Sequence, residues 1–153
     1  MLPNIEGKKK GYPILLYLDS STQTLIEEFS TSNFIGINHK TNTFVSPKSS
    51  SVLPSITNKS LQQIATDMGM NVENREILVT ELSDFDEVIA CGTAVVVTPI
   101  GSMTVPQVGG GEKVYKFGDG ETVGKVTMEL YNRVRAIQQG EAEDVHGWLD
   151  QVC

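Results

Sequence analysis

Residues 33–45 read NFIGINHKTNTFV, and their pattern decides the fold class. Residues 33–38 (NFIGIN) form a short apolar strand, His39-Lys40-Thr41-Asn42 a polar turn, and Thr43-Phe44-Val45 a second strand. Upstream, residues 13–19 (PILLYLD) and 24–28 (TLIEE) read as further strands, the first closing at the turn Asp19-Ser20-Ser21. After a polar loop at 47–51 the period changes. Leu61, Ile64, Ala65 and Met68 fall at helical spacing, which predicts a helix over 57–68 stopped by Gly69. Residues 71–78 return to strand and 82–86 to one helical turn. Residues 87–91 and 94–98 are apolar strands around Gly92-Thr93. Gly109-Gly110-Gly111 joins residues 103–108 to a strand around 113–117. Val123, Val126, Leu130, Val134 and Ile137 make one stripe of a helix over 122–138, ended by Gly140. The expectation is one mixed α/β, strand-rich domain over residues 1–153.

The chain has 153 residues, with 12 Lys and Arg against 19 Asp and Glu, a net charge of −7. That length can bury a core, and 39% hydrophobic residues exclude a disordered acidic tail. An acidic surface repels phosphate backbones, so no nucleic-acid partner is expected. No apolar run reaches the length of a membrane span, and no membrane partner is expected. Lys8, Lys9 and Lys10 before an apolar run invite a signal-peptide reading. The run stops at Asp19 without a small-residue cleavage site, which favours a buried strand. Cys91 and Cys153 cannot build a disulfide framework, and His39 and His146 form no metal-ligand spacing, so no metal site is expected. A reducing compartment, cytoplasmic or mitochondrial, follows as the expectation.

Three constellations stand out, each with two readings. Ser51 to Thr57 (SVLPSIT) precedes a helix, and such a turn is either an ordinary cap or an anion site built from free amides and the Thr57 hydroxyl. Cys91-Gly92-Thr93-Ala94 is either a tight turn or a second place where amides and a hydroxyl approach a ligand. Glu27 and Glu28 alternate along a strand, so one is expected to point coreward and need a cationic partner, unless both are solvated at an edge. Trp148 is expected to anchor the C-terminal segment in the core, and Lys8 to Lys10 to be a solvated helix end.

The order of these signals is more informative than any one of them. Glu28-Phe29-Ser30-Thr31-Ser32-Asn33-Phe34, then Leu53-Pro54-Ser55-Ile56-Thr57, then Gly92-Thr93-Ala94 followed by Thr98-Pro99, resembles the branched-chain aminotransferases. These are class IV, fold-type IV enzymes that use pyridoxal phosphate. The tail, Gly140 to Asp144 with Gly147-Trp148-Leu149, is similar to the end of that family. The resemblance implies the large domain of such an enzyme, a strand-rich pseudo-barrel flanked by the helices at 57–68 and 122–138. It implies that Glu28 pairs with the pyridine nitrogen and Leu53 packs on the ring. Ile56, Thr57 and Thr93 would hold the phosphate, and Thr93 and Ala94 would lie at the carboxylate of a small-molecule substrate.

Two departures accompany it: the family usually has Gly at the position of Ser55 and Arg at that of Asn58. Serine is expected to resist the backbone angles glycine adopts there. The resemblance covers only the C-terminal half of the family's chains. The small N-terminal domain and the Schiff-base lysine are therefore expected to lie outside this sequence, and the catalytic residues stay unknown. Lys8, Lys9 and Lys10 sit too far along the helix to replace that lysine. Transamination of Leu, Ile or Val with 2-oxoglutarate is then expected only with the missing half supplied. The alternatives are a repurposed, lysine-independent enzyme (a cyclase, isomerase or lyase) and a non-catalytic regulatory subunit. Apolar surface left by an absent domain favours a homo-oligomer or pairing with a full-length relative. Self-association is expected at micromolar concentration, and a strictly monomeric sedimentation profile contradicts it.

Overall fold

The computed structural model describes residues 7 and 9–150. Strands β1 (Leu16–Leu18), β2 (Ile26–Phe29), β3 (Ser32–Asn38) and β4 (Thr43–Pro47) precede helix α1 (Ile56–Asp67). Then follow β5 (Asn71–Arg75), a 3-10 segment (Val79–Asp84), β6 (Glu87–Gly92), β7 (Val96–Ile100), β8 (Ser102–Pro106), β9 (Glu112–Lys116) and α2 (Lys125–Gln138). The expected mixed α/β, strand-rich architecture is what forms.

Strand β3 is the hub of a seven-stranded sheet. One edge pairs along its length with β6, from Asn33↔Cys91 to Ile37↔Glu87. The other edge is shared, β2 taking Ser32 and Asn33 and β4 taking Gly36 to Asn38. β5 adds parallel to β4, and β7 antiparallel to β6. Beyond β5 the chain returns to β2: Ile26 N donates to Ile77 O and Val79 N to Thr24 O, each at 2.8 Å. This ring of pairings curls the sheet toward a barrel. Strands β8 and β9 form a separate hairpin.

The curl separates two cores. Ile35, Ile37 and Phe44 meet Leu61 and Ile64 of α1 and Leu130 and Val134 of α2 on one face. Phe29, Phe34, Val45, Phe85 and Val88 pack with Met103, Tyr115 and Phe117 on the other. Each such side chain contributes about 1.5–3 kcal/mol on full burial. Helix α1 ends as expected at Gly69, whose φ of +77° suits glycine. Gly69 N donates to Thr66 O and Met70 N to Ala65 O, closing the last turn.

Four expectations are corrected. Neither Glu27 nor Glu28 points into the core; both are half-buried. The β1–β2 register matches Leu16 to Phe29 but Leu18 to Ile26, placing an extra residue on β2. That bulge breaks the two-residue alternation, so Ile26 and Phe29 are buried and both glutamates stay at the rim. Trp148 is 38% exposed. It stacks on His146 at 4.7 Å, and His146 Nε2 bonds Asp67 Oδ2 at 2.7 Å, so an imidazole rather than an indole ties this segment to α1. Strand β7 begins at Val96, two residues later than its pattern predicts. Helix α2 begins at Lys125 rather than 122 and leaves Val123 exposed, because Asp119 holds the Glu121 and Thr122 amides in a turn.

The buried carboxylate of this fold is Glu87, 6% exposed at the start of β6. It caps α2: Oε2 accepts from Thr127 N (2.8 Å) and Thr127 Oγ1 (2.6 Å), and Oε1 accepts from Val126 N (3.1 Å). His39 Nε2 lies 2.6 Å from Oε1. Gly124 leaves room for this approach, since a Cβ there would collide with the Glu87 carboxyl. Desolvation pushes the carboxyl upward, but the bonds from Thr127, His39 and Val126 outweigh it and hold it below its ordinary value. Lys9 and Lys10 are exposed, Lys10 reaching Glu112 at 3.8 Å; Lys8 and Cys153 lie outside the described residues. No helix among the described residues is long and apolar enough to cross a membrane.

Glu87→Ala is expected to cost about 3 kcal/mol in urea unfolding at neutral pH, by stranding buried donors. Because the folded-state value is lowered, the stabilisation is complete above the ordinary 4.5 and is lost as pH falls through the folded value. Glu87→Gln should flatten that acid limb of the stability curve.

Candidate functional site

Glu28 and Asn33 are paired residues across the β2–β3 hairpin. The Asn33 side-chain amide donates to Glu28 Oε2 at 3.4 Å and to the Leu53 carbonyl at 3.0 Å. One buried amide thus joins the carboxylate strand to the turn that opens α1. The bond to Glu28 is long, and a carboxylate accepts several, so its oxygens keep capacity for another N–H donor. On the other edge of β3, Asn33 pairs with Cys91, which brings Gly92-Thr93-Ala94 out at the same end of the sheet. The Cys91 thiol is in hydrogen-bond contact with Ser55; burial pushes it up to about 12, against a smaller pull from that serine. The two turns singled out in the sequence therefore meet.

Ser55 is the N-cap of α1, at φ −109° and ψ 126°. This is extended backbone open to any residue, so the expected conflict of serine with the turn does not arise. Its hydroxyl accepts from Asn58 N at 3.1 Å. Asn58 itself is buried, donating from Nδ2 to Ser46 Oγ at 2.8 Å. With the third amide of α1 used by Ser55, the Ile56 and Thr57 amides occupy the first two positions, which have no partner inside a helix. They point out at the positive end of the helix dipole. Thr57 is half-buried, while Thr93 and Ala94 are exposed in the turn. Leu53 is 74% exposed and Ile56 83%, an apolar surface beside these polar groups.

The residues predicted for the site thus converge: Glu28, Leu53, Ile56 and Thr57 through Asn33 and Ser55, and Thr93 with Ala94 through Cys91. The set suits a ligand with an anionic group, a flat apolar body and an N–H donor. The site is an open face, distinct from a cavity of about 570 Å³ on the Glu27 side of β2 that includes Lys48, Ser49 and Glu76. Glu27 accepts from Ser49 Oγ there at 2.9 Å. Among the described residues no group of three or more His, Cys, Asp or Glu is placed to hold a metal ion. Sequence reasoning left Asn33 without a role; its spacing from Glu28 across a two-residue turn was the available signal.

Ser55→Ala is expected to cost about 1 kcal/mol of stability by denaturant unfolding, and Ser55→Gly only a few tenths. Equal losses would remove the cap assigned to the hydroxyl.

Comparison with known proteins agrees with this geometry. The family described as amino-transferase class IV matches residues 1–103. A branched-chain-amino-acid aminotransferase of Helicobacter pylori is 42% identical over 145 residues, covering 94% of this chain and 40% of that protein. The branched-chain amino acid aminotransferase of Escherichia coli superposes with a TM-score of 0.76 at 30% identity, over 96% of this chain and 45% of that one. A third such enzyme, from the source designated T.th. and solved with pyridoxamine 5'-phosphate, superposes at 0.79 with 26% identity, over 99% and 45%. The chain spans less than half the length of these relatives.

Proposed function

We propose, from the premise that the chain belongs to the class IV amino-transferase family, that it is the cofactor-anchoring part of an enzyme acting on branched-chain amino acids. The observation that carries this reading is the Asn33 amide, which joins Glu28 to Leu53 at the end of β3 where Thr93 also emerges. Pyridoxal phosphate, when bound, supplies a protonated ring that delocalises the electron pair left at the substrate Cα. Glu28 would accept the ring N–H and keep that proton in place by its negative charge. The Ile56 and Thr57 amides, with the Thr57 and Thr93 hydroxyls, would bind the phosphate at the start of α1. Leu53 would cover one face of the ring and exclude water from it. Thr93 and Ala94 would orient the substrate carboxylate.

A base for moving the Cα proton is not among these residues, and Lys10 is turned toward Glu112. Amino transfer between leucine and 2-oxoglutarate is therefore proposed only with the remainder of the family's architecture, in company with a second chain that bears the lysine. Assembly with another copy or with a longer relative follows from the same reading.

Titration with pyridoxal phosphate tests it. Wild type is expected to bind saturably, and Glu28→Ala, Thr57→Ala and Thr93→Ala each to weaken binding about tenfold, the loss of a hydrogen bond to a charged group. Glu28→Ala should also change the absorption of the bound ring. Variants that bind like wild type would refute the assignment.

A further inference from the structure

Val96 is a buried, β-branched residue with φ of +66°, in the left-handed region that favours glycine. Val97 N donates to Val95 O at 2.8 Å, so Val96 is the centre of a three-residue γ-turn. With φ positive at the centre this turn is the rare, strained form. The register Gly92↔Val96 makes Thr93-Ala94-Val95 a three-residue connection, and the strain sits at its closing position.

Packing explains how the strain persists. Successive residues of a regular strand point to opposite faces. Val96 and Val97 are nevertheless both buried, 5% and 8% exposed, in the same core against the helices. The left-handed φ is what lets both isopropyl groups enter it. Burial of two valines thus over-determines one unfavourable backbone angle, and held strain of this kind clusters at binding sites. Val95, displaced by the kink, is left exposed beside Ala94.

We propose that Val96 is a positioning residue for the anion-binding turn, its buried side chain forcing Thr93 and Ala94 into the shape that presents their polar groups to ligand. This rests on the reading of Thr93 and Ala94 as ligand contacts. Without the clamp the turn relaxes, and the loss appears in affinity rather than in fold.

Pyridoxal phosphate binding to the full chain, measured by titration calorimetry well below the unfolding temperature, separates the two. Val96→Gly removes both side chain and strain. Val97→Ala removes packing from the same core but leaves the turn. Val96→Gly is expected to bind at least about tenfold more weakly than wild type, the scale of one strained residue. Val97→Ala should melt lower and bind as wild type does. If Val96→Gly does not fold, Val96→Asn, which tolerates positive φ, serves in its place with the same expectation. Wild-type affinity in the Val96 variant, or equal weakening in Val97→Ala, overturns the proposal while leaving the cofactor reading intact. A wild-type chain that does not bind overturns both.

Discussion

Strand β3 must satisfy both of its edges, and the rest of the fold is arranged around that requirement. β6 occupies one edge throughout, so the other is divided between β2 and β4. The division bends the sheet, and at the divided end three segments converge that are far apart in the chain. Glu28 arrives on β2, Thr93 follows β6, and the turn before α1 is drawn in by Asn33. The position of Asn33, on the shared edge, is therefore what turns two ordinary turns into one face.

A second constraint works from the opposite end of the same strands. Glu87 begins β6 and caps α2, and His39 follows β3. The carboxylate thereby links the helix layer to the strand that, four residues on, carries Cys91 to the site. Its hydrogen bonds are numerous enough to overcome its desolvation, and a buried charge is tolerated only under that condition. Helix α2 in turn supplies Leu130 and Val134 to the core that encloses Val96 and Val97. Packing energy gathered far from the site is in this way available to hold the turn at Thr93 in an unfavourable shape.

Much of this was legible in the sequence, where local rules sufficed. The strand-turn-strand pattern of residues 33–45 and the helix closed by Gly69 depend on neighbours a few residues apart, and both form as read. The site residues were legible through the order of their motifs, although the geometry joining them was not. What escaped depends on register or on distant partners. The bulge that keeps Glu27 and Glu28 at the rim is set by β1. Glu87 finds its amides about forty positions later in the chain. The kink at Val96 is invisible in a run of three valines, because only the shared core of Val96 and Val97 requires it.

The central claim is that the turns at 55–57 and 92–94 form one ligand face. Backbone amide NMR of the chain during addition of pyridoxal phosphate tests it most directly. The Ile56, Thr57, Thr93 and Ala94 amides are predicted to shift together along one saturation curve. Shifts confined to one turn, or two curves with different midpoints, would contradict it.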